Sequence, residues 1–233
     1  MSTAVVEKVK TEEKPSVPKK KFAQGLCFYK LFWVFFIACF LGVILETLWV
    51  FVTRFELQNR TGLIYGPFNL VYGCGAVIMT ICLNWLSGKR DLWIFLAGTF
   101  IGGGYEYFCS WIQEKMFGTV SWQYDKMAYN LDGRINLLYC IFWGILALLW
   151  VKEIYPRMSR WIEKIPNTYA LSLTWVLIVF MIFNTIMSAL AVACMAARNQ
   201  DSATSNAVTA YFDEHYPDER MAKIYPSMVF VSE

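Results

Sequence analysis

The sequence has one histidine, His215, and no two cysteines at CxxC spacing. A lone histidine without a His or Cys partner does not build a metal centre, so no metal and no cofactor is expected. Gly102-Gly103-Gly104 is not followed by Gly-Lys-Ser/Thr, and it lies inside an apolar run. It is therefore not a phosphate loop, and an ATPase, if one is needed, must be a separate chain. Basic residues form no face outside the N-terminal tail, which excludes nucleic acid as a partner. The first 21 residues lack the apolar core of a signal peptide and read as a solvated, Lys- and Pro-containing tail. No nucleophile with an adjacent base is visible.

What is present is apolar. Hydrophobic residues make up 57% of the 233 positions, and mean hydropathy is +0.41. A soluble domain holds about 45–50%, so the excess calls for a nonaqueous solvent. The seven cysteines (Cys27, Cys39, Cys74, Cys82, Cys109, Cys140 and Cys194) lie in or beside apolar runs and read as small packing residues. Five runs stand out, at 28–52, 67–86, 92–112, 135–151 and 169–197. Each is near the roughly 17–25 residues a helix needs to cross the hydrocarbon layer. None alternates like a barrel strand, and irregular backbone is excluded at that depth. Pro67 suits a first helical position, where its missing N–H costs nothing. The predicted fold is all-α: a polytopic bundle of about five transmembrane helices over 28–197. A disordered basic cytoplasmic tail (1–27) precedes it, and an extracytoplasmic polar segment (198–233) follows.

Orientation follows from Lys and Arg. With five crossings, one side carries the seven lysines up to Lys30, then Lys89, Arg90, Lys152, Arg157, Arg160 and Lys164. The other carries Arg54, Arg60, Lys115, Lys126, Arg134, Arg198, Arg220 and Lys223. The richer side is expected in the cytoplasm, giving N-in, C-out topology in the inner or plasma membrane. Trp33, Trp85, Trp93, Trp150 and Trp161 then mark the inner interface, and Trp49, Trp111 and Trp122 the outer one. In the C-terminal segment, Ala207, Val208, Tyr211, Phe212 and His215 recur at helical spacing. They predict a short amphipathic helix over the outer face, punctuated by Tyr216-Pro217 and Tyr225-Pro226.

Two carboxylates inside apolar runs carry the chemical signal. Glu46 lies about 10 Å below the outer end of the first helix at 1.5 Å per residue, and Glu106 sits at similar depth in the third. A charge at such depth costs roughly 2.5–3.5 kcal/mol on insertion scales. Such residues face a partner or a cavity, in a structural tie or a functional site. Gly42 and Gly102 each stand one turn before a glutamate, and Gly98 and Gly102 form a small-xxx-small pair that favours close packing. Arg134 enters the fourth helix, where it could reach a carboxylate, an anionic ligand or the interface. Tyr65, Tyr72, Trp122, Tyr124 and Asn130 complete the candidate binding set on the outer loops and helix starts, with Asn69, Asn136 and Tyr105 as further hydrogen-bonding groups.

Leu63-Ile64-Tyr65-Gly66-Pro67 and Val71-Tyr72-Gly73-Cys74-Gly75 resemble motifs of the CmpB-type family of bacterial ABC-transporter permeases. Tyr105-Glu106-Tyr107, Trp122-Gln123-Tyr124, Asn130 to Ile135 and Tyr216 to Met221 are similar to later motifs of that family. The resemblance spans about residues 30–230. Gln123 stands where the family pattern has Asp, and Leu70 where it has Pro. The resemblance implies a polytopic permease subunit with a separate ATPase. Three functions remain open on the residues themselves. One is a transporter permease with an outer-leaflet polar binding site. Another is an embedded enzyme acting on a lipid or envelope substrate, with Glu46 or Glu106 as base. The third is a non-catalytic scaffold or sensor. The available groups bind and orient more readily than they split bonds. Membrane lipid is an expected partner, and homo-oligomerisation stays open. A reporter fused at residue 232 is expected to read as extracytoplasmic; a cytoplasmic signal would change the number of crossings.

Overall fold

The computed structural model describes residues 21–200 and 206–231. Residues 1–20 of the expected tail, and 201–205 and 232–233 of the expected C-terminal segment, lie outside the described residues. Every apolar run forms a helix. In chain order these are α1 (Phe28–Arg54), α2 (Leu70–Leu83), α3 (Asp91–Phe117) and α4 (Leu137–Leu149). A π-helical turn at Trp150–Ile154 continues α4 into α5 (Tyr155–Ile162), and α6 is Asn167–Asn199. Two short helices follow, α7 (Ala207–His215) and α8 (Asp218–Ile224). Four two-residue strands pair antiparallel. β1 (Thr119–Val120) pairs with β4 (Val229–Phe230), and β2 (Asn130–Leu131) with β3 (Ile135–Asn136).

Among the described residues, three helices are long and apolar enough to cross a membrane: Phe28–Arg54, Leu137–Ile162 and Asn167–Asn199. α2 with its 3-10 extension is apolar but short, and α3 falls outside by composition. Helix ends follow local chemistry. α2 starts at Leu70, not at Pro67 as expected, because the Asn69 side chain accepts the Val71 N–H at 3.0 Å. Asn136 caps α4 in the same way through Leu138 at 2.9 Å. Each spends its side-chain oxygen on an otherwise unpaired helix donor. α3 ends where Gly118 turns left-handed at φ 60°. The π turn also has a cause: Pro156 lacks the N–H that the Lys152 carbonyl would receive. The ladder widens instead, with the Tyr155 N–H on the Trp150 carbonyl five residues back.

The helices meet through small residues. A methyl group on Gly73 would strike Cys39 and Phe35, and one on Gly98 would strike Ala147. α1 packs on α2, and α3 on α4, at these points. Lipid tails are as apolar as side chains, so close van der Waals contact and buried hydrogen bonds hold such helices together. Among the cysteines, Cys39 packs as expected, but Cys74 and Cys82 are exposed.

Two tryptophans expected at the inner interface are instead buried pins between helices. Trp33 donates to Thr174 Oγ1 and Trp150 to Thr80 Oγ1, both at 2.9 Å. Trp49, Trp85, Trp93, Trp111 and Trp161 are exposed. The basic end of the bundle is packed further back than the tail reading allowed: Phe22 and Ala23, expected in the disordered tail, are buried in the same cluster as Trp33 and Trp150. Lys30, one of the basic residues that set the expected orientation, is 0% exposed. Its Nζ reaches Glu163 Oε1 at 2.7 Å and the Ser159 carbonyl at 3.0 Å. A buried ammonium is tolerated only with such partners.

The Lys30 hydrogen bond holds the Glu163 carboxyl below its ordinary range. A depressed folded pKa means that this stabilisation is complete above about pH 4.3, the unperturbed value, and is lost as pH falls through the lowered one. Glu163→Gln strands the buried ammonium, and thermal unfolding in detergent should show a loss of about 3 kcal/mol. It should also show a flatter acid limb than the wild type.

Candidate functional site

The same small device is built twice near the end of the bundle opposite Lys30. In α1, Gly42 stands one turn before Glu46, and the Tyr72 ring of α2 occupies the space a Cβ on Gly42 would need. The Tyr72 hydroxyl faces the Glu46 carboxylate. In α3, Gly102 stands one turn before Glu106, and the Trp143 ring of α4 fills the space over it. The Trp143 indole N–H donates to Glu106 Oε2 at 2.8 Å. In both cases the missing side chain of the glycine lets an aromatic ring of the next helix sit flush and present its polar atom to the glutamate above. The partner helices open alike, with Asn69-Leu70-Val71-Tyr72 and Asn136-Leu137-Leu138-Tyr139, each led by its capping asparagine.

Loops deliver the remaining partners. The 55–69 loop folds back so that Arg60 pairs with Glu46, with Nε at 2.9 Å and a second contact from Nη2. The 118–136 loop brings the Tyr124 hydroxyl to Glu106 Oε1 at 2.7 Å. Burial first, and the Glu106 carboxylate next, push the Tyr124 phenol well above its usual value, so it remains a donor. Tyr139 stacks on Tyr124 with ring centroids 4.7 Å apart. Glu46 and Glu106 lie within electrostatic reach of one another. Glu106 is buried at 7% exposure. Among the described residues, no cation pairs with it.

Glu46, Tyr72, Glu106 and Tyr124 thus come together; the other candidates go elsewhere. Arg134, a candidate partner for a carboxylate, an anionic ligand or the interface, reaches neither Glu46 nor Glu106 but pairs with Glu114 at 2.6 Å, two turns beyond Glu106 along α3, and lies over the Tyr107 ring. Trp122 and Asn130 position rather than line the site. The Trp122 indole donates to the Arg134 carbonyl at 3.1 Å, and Asn130 accepts from Gly133 N–H at 3.0 Å. Together they brace the tight β2–β3 turn, where Asp132 (φ 51°) and Gly133 (φ 63°) are left-handed. The Gly133 carbonyl then receives the Tyr124 N–H at 2.8 Å. Asn69 and Asn136 are helix caps, and Tyr105 donates to the Val71 carbonyl at 2.8 Å.

Tyr65 belongs to a separate assembly. Its main chain exchanges two hydrogen bonds with fully buried Asn184 of α6, at 3.1 and 2.7 Å. Its hydroxyl meets that of Tyr216 at 2.6 Å. Burial, then this hydroxyl pair, pushes the Tyr216 pKa up to about 12. α7 forms where the amphipathic helix was expected. Phe212 is its buried contact, while Val208, Tyr211 and His215 stay exposed. Arg198 at the end of α6 fastens this cap through Asp213 at 2.6 Å and Asp218 at 2.6 and 2.9 Å. Asn59 to the Ile224 carbonyl and the β1–β4 pair tie it to both loops. The residues missed from sequence are Arg60 as partner, Trp143, Glu114, Asn184, and Ser188, whose hydroxyl accepts the Ile64 N–H at 2.9 Å. The repeated Gly-x-x-x-Glu and Asn-Leu-x-Tyr patterns were the available signal for Trp143 and its hairpin.

Fold and site together define a helical membrane protein with two aromatic-seated carboxylates between its helices, Glu106 buried and Glu46 partly buried. The chain belongs to the family ABC_trans_CmpB, described as "Putative ABC-transporter type IV", whose model matches residues 33–189. Both glutamates and Arg60 fall inside the match. The Tyr216 to Met221 motif lies beyond the matched residues. Among curated proteins and among solved structures, nothing matches the chain significantly.

Arg60→Met leaves Glu46 mostly buried without its guanidinium. The expected cost is about 3 kcal/mol, read by thermal unfolding in detergent. Adding Glu46→Gln should recover most of it, since the double variant strands no charge.

Proposed function

We propose that this protein is the permease subunit of an ABC-type transporter, with a ligand site in the outer half of the membrane formed by Glu46, Tyr72, Glu106 and Tyr124. The family membership supports the transporter class. The observation that carries the site is Glu106: a carboxylate buried in the apolar part of a helix, held by two neutral donors. Intramembrane ionisable groups of this kind mark substrate or ion paths. The neighbouring groups bind and orient; none is poised as a nucleophile.

In this reading α1, α2, α3, α4 with α5, and α6 all cross the membrane, α2 with its 3-10 extension being the shortest crossing. The basic end with Lys89, Arg90, Arg157, Arg160 and Lys164 faces the cytoplasm, and the α7–α8 cap lies outside, at the cell membrane. The chain carries no nucleotide-binding motif, so the energy source is a separate ATPase. The stretch 152–164 suits its docking, with Arg157, Arg160, Trp161 and Lys164 exposed beyond the buried Met158 and Ile162.

Glu106→Gln should lower uptake or export about tenfold, the equivalent of roughly 1.4 kcal/mol, while the protein remains inserted. An ATPase should copurify with the wild type and be lost when Arg157, Arg160 and Lys164 are replaced together. Turnover of a lipid or envelope substrate by the purified protein alone, abolished by Glu106→Gln, would replace this reading with an embedded enzyme.

A further inference from the structure

The two halves of the site differ in one respect. Glu46 holds a guanidinium, that of Arg60. Glu106, seated in the same way over its own glycine and aromatic ring, holds only Tyr124 and Trp143. The arginine of its own hairpin, Arg134, is diverted to Glu114. Within one molecule, the first half therefore shows what the second half lacks.

We infer that the Glu106 site takes an organic cation, with a guanidinium or ammonium group occupying at Glu106 the role that Arg60 plays at Glu46. This rests on the permease reading and names its substrate class. Three observations carry it. The first is pairing: Glu46 holds Arg60, whereas among the described residues no basic side chain pairs with the Glu106 carboxyl. An anion would meet that carboxylate with no free arginine to receive it, since Arg60 and Arg134 are both paired. The second is the wall. Tyr124 and Trp143 hold the carboxyl, Tyr139 stacks behind Tyr124, and Tyr72 lies nearby at Glu46; aromatic rings attract ammonium and guanidinium groups. The third is the ligand count. A hard metal cation such as Ca²⁺ needs about six to eight oxygens, and one carboxylate with phenols does not supply them. Entry requires Tyr124 to release Glu106 Oε1. Tyr124 sits on a loop, so its movement breaks no helix.

The test uses the full chain in lipid nanodiscs, with thermal unfolding followed in millimolar methylguanidinium chloride, tetramethylammonium chloride or sodium chloride. The organic cations should raise the midpoint by about 4 °C over sodium. Methylguanidinium acting better than tetramethylammonium indicates hydrogen-bonded pairing like that of Arg60, and the reverse order indicates binding by aromatic faces. Glu106→Gln should abolish the shift. Tyr124→Phe keeps the ring but removes a competing donor, and should tighten binding about fivefold. This second variant decides the matter if Glu106→Gln does not fold. The inference is overturned if neither cation exceeds sodium, if Glu106→Gln keeps the full shift, if Tyr124→Phe leaves affinity unchanged, or if sodium sulfate or bicarbonate stabilises in their place. The permease reading fails separately. Cation binding with no copurifying ATPase and no flux sinks transport but keeps the site, whereas an ATPase with no cation binding does the opposite.

Discussion

Everything at the candidate site depends on the absence of a side chain at Gly42 and at Gly102. A methyl group at either position would collide with the ring of Tyr72 or Trp143. Helix pairs in lipid gain little from apolar burial, so a close approach is itself the main attraction. Here it also brings an aromatic donor under a carboxylate that would otherwise be costly at that depth. Packing and polar satisfaction are thus one arrangement. Enlarging either glycine would loosen the helix pair and strip the glutamate of its partner at once.

The two ends of the bundle solve the problem of buried polarity differently. At the basic end, indole N–H groups meet threonine hydroxyls, and a fully buried lysine is matched by Glu163 and Ser159. Donors and acceptors there are balanced within the chain. At the opposite end Glu46 is balanced, but Glu106 is satisfied in hydrogen bonds without being neutralised in charge. That difference is the one on which the proposed site rests.

Much of this was legible in the residues. The apolar runs located α1, α2, α3, α4 and α6, because apolar helices announce themselves by length and composition more than by any subtle pattern. Glu46 and Glu106 stood out for the same reason, as charges where none is expected. The partners were harder to read. Arg60 reaches Glu46 only because the 55–69 loop doubles back onto Cys39 and Asn184, contacts that no local propensity encodes. Arg134 was misplaced because its position at a helix start says nothing about which of two acids on α3 lies beside it. Trp33 and Trp150 looked like interface residues by position along their helices. Their rotational facing, toward Thr174 and Thr80, decided otherwise.

The pairing of β1 with β4 joins residues near 119 to residues near 230. Closing so long a stretch of chain is entropically costly and late. During synthesis the helices bearing both glutamates are complete well before the strand that closes the cap exists. The glutamate-bearing hairpins must therefore assemble with their loops still uncapped. The cap arrives last, fixing an arrangement that the glycine contacts had already selected. Errors in the final thirty or so residues should consequently leave the bundle formed but the 55–69 and 118–136 loops unfastened, a defect of maturation rather than of insertion.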